Sequence, residues 1–427
     1  MQVNVSSLRS LLKVLESETR IEPVQLGEPE EKAEIFPQRA VNPELRGIRT
    51  IETFCTQENR VVDPAHIWNV SVPFTQPQDL FKVSLDYFLD GVQRTTHIGW
   101  IPFRQSSPHR VAVHFAQFGS VVLKRTNGDL KPLHKGLSCL LELPVDFLKS
   151  KANKGNVSEF LSKPLHKVSH VDWVDTSFDY RRLPAEQTTD AKCTELNGIR
   201  YPRVSDDELM KWCSDPAKLR LHARWWTTLY RNRSEYELAS QIAEQIGPAK
   251  KNQMEFSFLV KDGGIAKIRR GLEKSTLGVV KSLDTRYLKE TEQVRVLALK
   301  KGHRSPAFIF DSGEHRENLN PSDETVSRDK NRVTWYLRIH GGERTPLDFG
   351  IIRVEVHPGL LPCGGKEDNW SQHDSLFVNA ISAAIYSDRL PISTSDMRWD
   401  KLIYPLKVCE RYLQSLLVPH ETIKWLV

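Results

Sequence analysis

The sequence predicts a mixed α/β fold, and three observations predict it. Short apolar runs with strand character fill residues 81–124, a long helical pattern covers about 215–246, and strands then alternate with helices to the C-terminus. Strands followed by alternating helices and strands are the pattern of a sheet flanked by helices.

Taken in order, Leu8, Leu11, Leu12 and Leu15 have helical spacing, with Ser6 or Ser7 available as an N-cap. Residues 21–48 are polar and proline-containing and read as an arm, so 1–75 form an N-terminal helix and arm and 76–427 the core. Phe81 to Leu89 reads as a strand leading into a turn at Asp90-Gly91, and Arg94 to Trp100 as its return. Arg110–Phe115 and Ser120–Lys124 read as two further strands, with Phe118-Gly119 between them. The result is an antiparallel meander with an acid at its first turn. Residues 145–216, rich in Lys, Ser, Thr and Asp, read as an inserted subdomain.

The helix from about Asp215 breaks at Gly247-Pro248, and the strand Glu255–Val260 runs into Lys261-Asp262-Gly263-Gly264. A short helix, the strand Leu277–Val280, a helix at 290–300 and strands at 307–310, 333–339 and 350–356 follow. Helices at about 372–388 and 405–417 close the chain, the latter with Pro405 in its first turn.

Composition bounds the function. With 427 residues, 39% hydrophobic and 27% charged, the chain can bury a large core and is not of disordered type. A net charge of +6 excludes a histone-like polycation but leaves room for a local basic groove. The six cysteines are scattered with no C-x-x-C pair, which argues against a zinc site or disulfide framework and for reduced thiols in the cytoplasm. The first residues lack a secretory pattern, and no apolar run approaches the roughly 20 residues of a membrane span.

Charge is unevenly spread. Between Lys250 and Arg304 stand 14 Lys and Arg against six acids, an excess of +8 that surpasses the excess of the whole chain. A basic stretch around a candidate acid suits a polyanion. Its candidate phosphate contacts are Lys261, Lys267, Arg269, Arg270 and Arg286. Lys281, directly after the apolar strand, is placed to neutralise a phosphate or orient a water.

Two acid–glycine steps, Asp90-Gly91 and Asp262-Gly263, each follow a strongly apolar run, which sets a carboxylate at the edge of a buried sheet. Asp-Gly is also an ordinary turn dipeptide. A third acid is available on the long helix, where Glu237, Gln241 and Glu244 share one stripe and Glu235 lies nearby. Converging carboxylates bind hard divalent ions such as Mg2+ or Mn2+. Trp225, Trp226 and Tyr230 read as core.

The order Phe88-Leu89-Asp90-Gly91-Val92-Gln93-Arg94, Leu259-Val260-Lys261-Asp262-Gly263-Gly264, Gly278-Val279-Val280-Lys281-Ser282, Ile352-Arg353-Val354-Glu355-Val356 and Tyr404-Pro405-Leu406-Lys407-Val408-Cys409-Glu410 resembles the NurA family of nucleases. The resemblance runs discontinuously over about residues 80–420. It implies a ribonuclease-H-like mixed sheet flanked by helices, a homodimer, manganese-dependent DNA cleavage, and partnership with a HerA-type hexameric ATPase. It further implies that Asp90, Glu237 and Asp262 hold the metal, with Lys281 at the scissile phosphate. Glu235 and Glu244 are alternatives to Glu237, chosen for its Arg233-x-x-x-Glu237 spacing. Glu410, Arg94 and Tyr404 fall in the outer motifs and are further candidates.

Overall fold

The computed structural model describes residues 22–23, 48–50, 72–73, 81–102, 110–143, 171–175, 193–196, 199–202, 216–243, 245–246, 255–265, 272–281, 288, 290–311, 331–341, 345–361, 370–396 and 398–424. The helix expected at 7–15 lies outside them.

Three strands form a long antiparallel meander: β1 (Lys82–Pro102), β2 (Arg110–Thr126) and β3 (Asp129–Leu143). Within the stretch read as an insertion, β4 (Val171–Asp175) pairs parallel to β3, and Cys193–Leu196 and Ile199–Pro202 form a separate hairpin. Helix α1 (Pro216–Ile242) leads to β5 (Glu255–Asp262) and β6 (Thr276–Val280). After α2 (Glu290–Leu297) come β7 (Phe308–Asp311), β8 (Asn331–Arg338) and β9 (Ile351–Val356). Helices α3 (Gln372–Ser387), α4 (Tyr404–Gln414) and α5 (His420–Lys424) finish the chain. No described helix is long and apolar enough to cross a membrane.

The strands form one mixed sheet in the order β7-β8-β9-β6-β5-β1-β2-β3-β4. Strand β5 runs parallel to β1 and β6 parallel to β5, while β2 is antiparallel to both β1 and β3. The central order β3-β2-β1-β5-β6, with only β2 reversed, is that of a ribonuclease-H-like core. The fold expected from the sequence is therefore the fold observed.

The meander departs from expectation in one instructive way. Neither Asp90-Gly91 nor Phe118-Gly119 is a turn: β1 and β2 run straight through both, with Asp90 opposite Val121 and Gly91 opposite Ser120. The glycines serve close approach instead. A side chain at Gly119 would strike Leu137 on the next strand. The real hairpin turn is Asn127-Gly128, whose φ of 53° and 85° are the left-handed values a two-residue turn requires.

Alternation sorts the side chains to two faces. Phe88, Val121, Phe258, Val260, Leu277 and Val279 pack with Phe377, Ile381, Leu406, Cys409 and Leu413 of α3 and α4. Tyr87, Leu89, Val122 and Leu259 pack on the other face against Leu238, Ala239 and Ile242 of α1. Each fully buried large side chain such as Phe88 or Phe377 contributes about 1.5–3 kcal/mol. A register shift where Leu85 and Tyr87 pair with Phe258 and Leu259 leaves Asp86 bulged, its carboxylate accepting from Ser84 and Ser257 at 2.7 and 2.6 Å. The shift puts Phe88 and Asp90 on the α4 face. Helix α3 begins with a capping box between Ser371 and Asp374, and Pro405 stands in the first turn of α4 as expected.

Candidate functional site

Parallel strands β1, β5 and β6 deliver Asp90, Asp262 and Lys281 to one end of the sheet core. Leu89 pairs with Lys261, so Asp90 and Asp262 are the next residues on neighbouring strands, and Asp262 pairs in turn with Val279, two residues before Lys281. Lys281 donates its ammonium to Asp262 Oδ2 at 2.8 Å and is itself buried, its side chain 7% exposed. Asp90 is buried, and among the described residues its hydrogen bond comes from its neighbour Gly91 N at 2.8 Å. Burial and the like charge of Asp262 hold the Asp90 carboxyl well above the ordinary range; Lys281 opposes them, and Glu235 adds to the rise.

The backbone after Asp262 is held from two sides. The Asp262-Gly263 step does turn, as expected: Gly263 takes a φ of 91° and donates its N–H to Val279 O at 2.8 Å. Two residues on, the N–H of Ile265 donates to Glu355 Oε2 on β9 at 3.1 Å, and Arg353 grips the other oxygen of Glu355 at 2.6 Å. Gly278 must be glycine-sized here, since a Cβ would sit 2.8 Å from Gly263 O. Sequence reasoning placed Glu355 in a motif without assigning it a task.

The helix brings Glu235 to the site, not Glu237. Glu237 points outward, its side chain 57% exposed and paired with Arg233 at 3.0 Å. Glu235 is buried, pairs with Lys261 at 3.0 Å and Arg231 at 3.3 Å, and lies directly over Gly91, where a side chain would collide with it. The spacing that favoured Glu237 does not discriminate, because Arg231 and Glu235 have the same four-residue separation as Arg233 and Glu237. The apolar stripe does: Glu235 precedes Leu238, Ala239 and Ile242 by three, four and seven positions. Glu244 lies outside the described residues.

Other candidates fall elsewhere. Lys261 is half-buried against Glu235 and carries its charge inward, so the structure does not leave it free for phosphate. Lys267, Arg269, Arg270 and Arg286 lie outside the described residues. Arg94 donates to the carbonyls of Leu417 and Val418 and ties down the approach to α5. Glu410 is held by Lys407 and Gln414, both at 2.9 Å, and Tyr404 stands 52% exposed at the first residue of α4. Cys409 lies beneath the site with its Sγ 3.6 Å from Phe88 O; burial, reinforced by Asp90, pushes its thiol well up and leaves it unreactive. Trp226 and Tyr230 pack against Phe118 and Leu140 as core.

Among the described residues, no three His, Cys, Asp or Glu side chains stand close enough to hold a metal ion. Glu235 has both oxygens engaged by cations, so the available donors are the carboxylates of Asp90 and Asp262. A buried aspartate and a partly exposed one, mutually repelling and with one lysine paired to the second, are short of positive charge among the described residues, and oxygen donors of this kind fit a hard divalent cation.

No protein-family model matches the chain, and no curated protein is significantly similar to it. Among solved structures, the NurA nuclease from Sulfolobus solfataricus is similar with 12% of residues identical, 77% of this chain and 79% of that chain covered, and a TM-score of 0.30.

Proposed function

We propose that the chain is a divalent-metal-dependent deoxyribonuclease, a hydrolase of phosphodiester bonds. The observation that carries this reading is the convergence of Asp90, Asp262 and Lys281 from three adjacent parallel strands at one end of a ribonuclease-H-like sheet. Asp90 and Asp262 would hold Mn2+ or Mg2+, with Glu235 as the third acid once its grip on Lys261 and Arg231 is exchanged. When bound, such an ion supplies a Lewis acid for the phosphodiester and lowers the pKa of a coordinated water. Lys281 fixes the rotamer of Asp262, and once a metal ion takes over that carboxylate the Lys281 ammonium would be released toward the scissile phosphate. The buried floor of Cys409 and Phe88 keeps water from reaching the carboxylates from below. The order of sequence motifs supports the rest of the reading: a homodimer working with a HerA-like hexameric ATPase in DNA end processing or defence against invading DNA.

A second reading is favoured by one observation. Asp262 is already neutralised by Lys281, and no three-ligand set exists among the described residues. On that basis the chain would be a ribonuclease-H-like adaptor that docks DNA onto the ATPase without cutting it.

The test is cleavage of linear and circular DNA with Mn2+, with and without the ATPase, by the parent chain and Asp90→Asn. The nuclease reading expects cleavage by the parent and none by the variant. DNA binding without cleavage in either protein selects the adaptor, and equal cleavage by both removes Asp90 from the site.

A further inference from the structure

We infer that Lys135 and Tyr412 form a phosphate-binding subsite beside Asp90, one that positions the backbone of a nucleic-acid strand on the α4 face of the sheet. The inference rests on the nuclease reading and adds residues that none of the sequence motifs contains. Its first support is register. Asp90 on β1 pairs with Val121 on β2, and Val121 pairs with Lys135 on β3. Residues directly opposite one another across antiparallel strands project from the same face, so Asp90, Val121 and Lys135 form a row across three strands. With strands about 4.8 Å apart, Lys135 lies about 10 Å from Asp90 along that row. A strand of DNA rises about 3.4 Å per nucleotide, so the separation corresponds to roughly three nucleotides from the bond at Asp90.

The second support is charge. Among the described residues, the cations at the acids are spent on them: Lys281 on Asp262, and Lys261 and Arg231 on Glu235. Lys135 is exposed and has no carboxylate partner among the described residues. Its ammonium donates instead to Tyr412 Oη at 3.3 Å, and lies 5.8 Å from the centre of that ring. One N–H of three is used, so two remain for an anion, and the Tyr412 hydroxyl, having accepted from Lys135, keeps its own proton to donate.

The third support is rigidity. Val121 between the two ends of the row is fully buried, and Leu413, next to Tyr412 on α4, packs into the core against the site where Gly119 lacks a side chain. Strand and helix therefore fix the lysine–tyrosine pair relative to Asp90. An acidic protein partner would find the same lysine, but a strand passing Asp90 accounts for its place in the row of the candidate catalytic acid.

The experiment measures binding of a fluorescently labelled single-stranded DNA by anisotropy in EDTA over a series of KCl concentrations. It compares the parent chain, Lys135→Gln, Tyr412→Phe and Lys131→Gln. Lys131 is a control on the same strand, 70% exposed and facing Asp129 at 3.8 Å. Loss of one phosphate contact reduces the slope of log affinity against log salt by about 0.7 for a single strand. Lys135→Gln should show that change together with about five- to tenfold weaker binding at low salt, Tyr412→Phe a smaller loss, and Lys131→Gln less than twofold. In cleavage with Mn2+, Lys135→Gln should raise KM and leave kcat within about twofold. A parent chain that binds DNA while Lys135→Gln binds with equal affinity and equal slope overturns the subsite and leaves the nuclease reading standing. A parent chain that neither binds nor cuts DNA overturns both.

Discussion

Lys281, just past the end of β6, and Asp262, the last residue of β5, are joined at 2.8 Å, and Asp90 on β1 stands beside them with no ion pair of its own among the described residues. Taking away the lysine leaves two adjacent aspartates facing each other. Lys281→Ala is expected to lower stability by about 1–3 kcal/mol, since a buried charge loses its partner. Mn2+ should return more of the melting temperature to this variant than it adds to the parent, because a bound cation replaces the missing charge. Melting curves with and without Mn2+ check this; an unchanged melting temperature in the variant would show that the pair does not hold the strand ends together.

The helix acids can be separated by paired substitutions. Glu235→Gln removes the charge that holds Lys261 and Arg231, and is expected to reduce cleavage about 100-fold. Glu237→Gln breaks an exposed pair with Arg233, so its activity should stay within about twofold and its stability within about 0.5 kcal/mol. Gly91→Ala should resemble Glu235→Gln, because the new methyl group takes the space that Glu235 and Arg231 occupy. If Glu237→Gln proves the damaging change, the helix acts through its outer face and Glu235 is only structural.

The contrast between these two glutamates marks what could be read from sequence. The succession of strands and the long helix along the chain follow from periodicity, whereas the ribonuclease-H-like sheet came only with the family resemblance. Asp262 stands at a strand end as Gly263 suggested, for its φ of 91° needs glycine. Asp90 stands mid-strand, because Gly91 was needed for the approach of Glu235 and not for a turn; a dipeptide does not reveal which service its glycine gives. Lys261 looked like a phosphate contact while counted as charge, yet its partner Glu235 is 26 residues away in sequence and appears only when α1 packs on the sheet. The role of Glu355 was hidden for the same reason, since the N–H it accepts from belongs to Ile265 on another strand connection.

That last contact predicts a positioning effect. Glu355 Oε2 holds Ile265 N at 3.1 Å, and Arg332 reaches the Ile265 carbonyl at 3.5 Å, so the backbone on both sides of Ile265, three residues past Asp262, is fixed. Glu355→Ala frees the turn without touching substrate. It is expected to cut kcat by about 10- to 100-fold and to leave DNA affinity measured in EDTA unchanged. Glu355→Gln, which retains an acceptor for Ile265 N, should recover most of the rate. A matching fall in both variants would point to the Arg353 ion pair, at 2.6 Å, as the feature that matters.

Far along the meander, a second polar cluster predicts how stability depends on pH. His114 on β2 stands opposite Glu142 on β3, and both are buried. Glu142 accepts from Thr227 Oγ1 at 2.8 Å on one oxygen, while its other oxygen is buried without a partner among the described residues. Burial holds the Glu142 carboxyl well above its usual 4.5, with the Thr227 hydrogen bond opposing. Burial, then His97, Arg220 and Arg224, holds His114 well below its usual 6.5. Between 4.5 and its folded value, Glu142 keeps a proton that the unfolded chain has lost, so its contribution is full below 4.5 and falls as pH rises through the folded value. His114 works in reverse: its contribution is full above 6.5 and is lost as pH falls through its folded value. From 4.5 upward Glu142 lowers stability and from 6.5 downward His114 lowers it, so the two slopes oppose each other where their ranges overlap, each worth about 1.4 kcal/mol per pH unit. Glu142→Gln should therefore abolish the alkaline fall and move maximum stability above pH 6.5, and His114→Gln should abolish the acid fall and move it toward 4.5. Urea unfolding from pH 4 to 9, read as the difference between each variant and the parent, isolates these two groups from all others. Parallel curves for parent and variants would mean that both side chains exchange protons with solvent as freely in the folded chain as in the unfolded one.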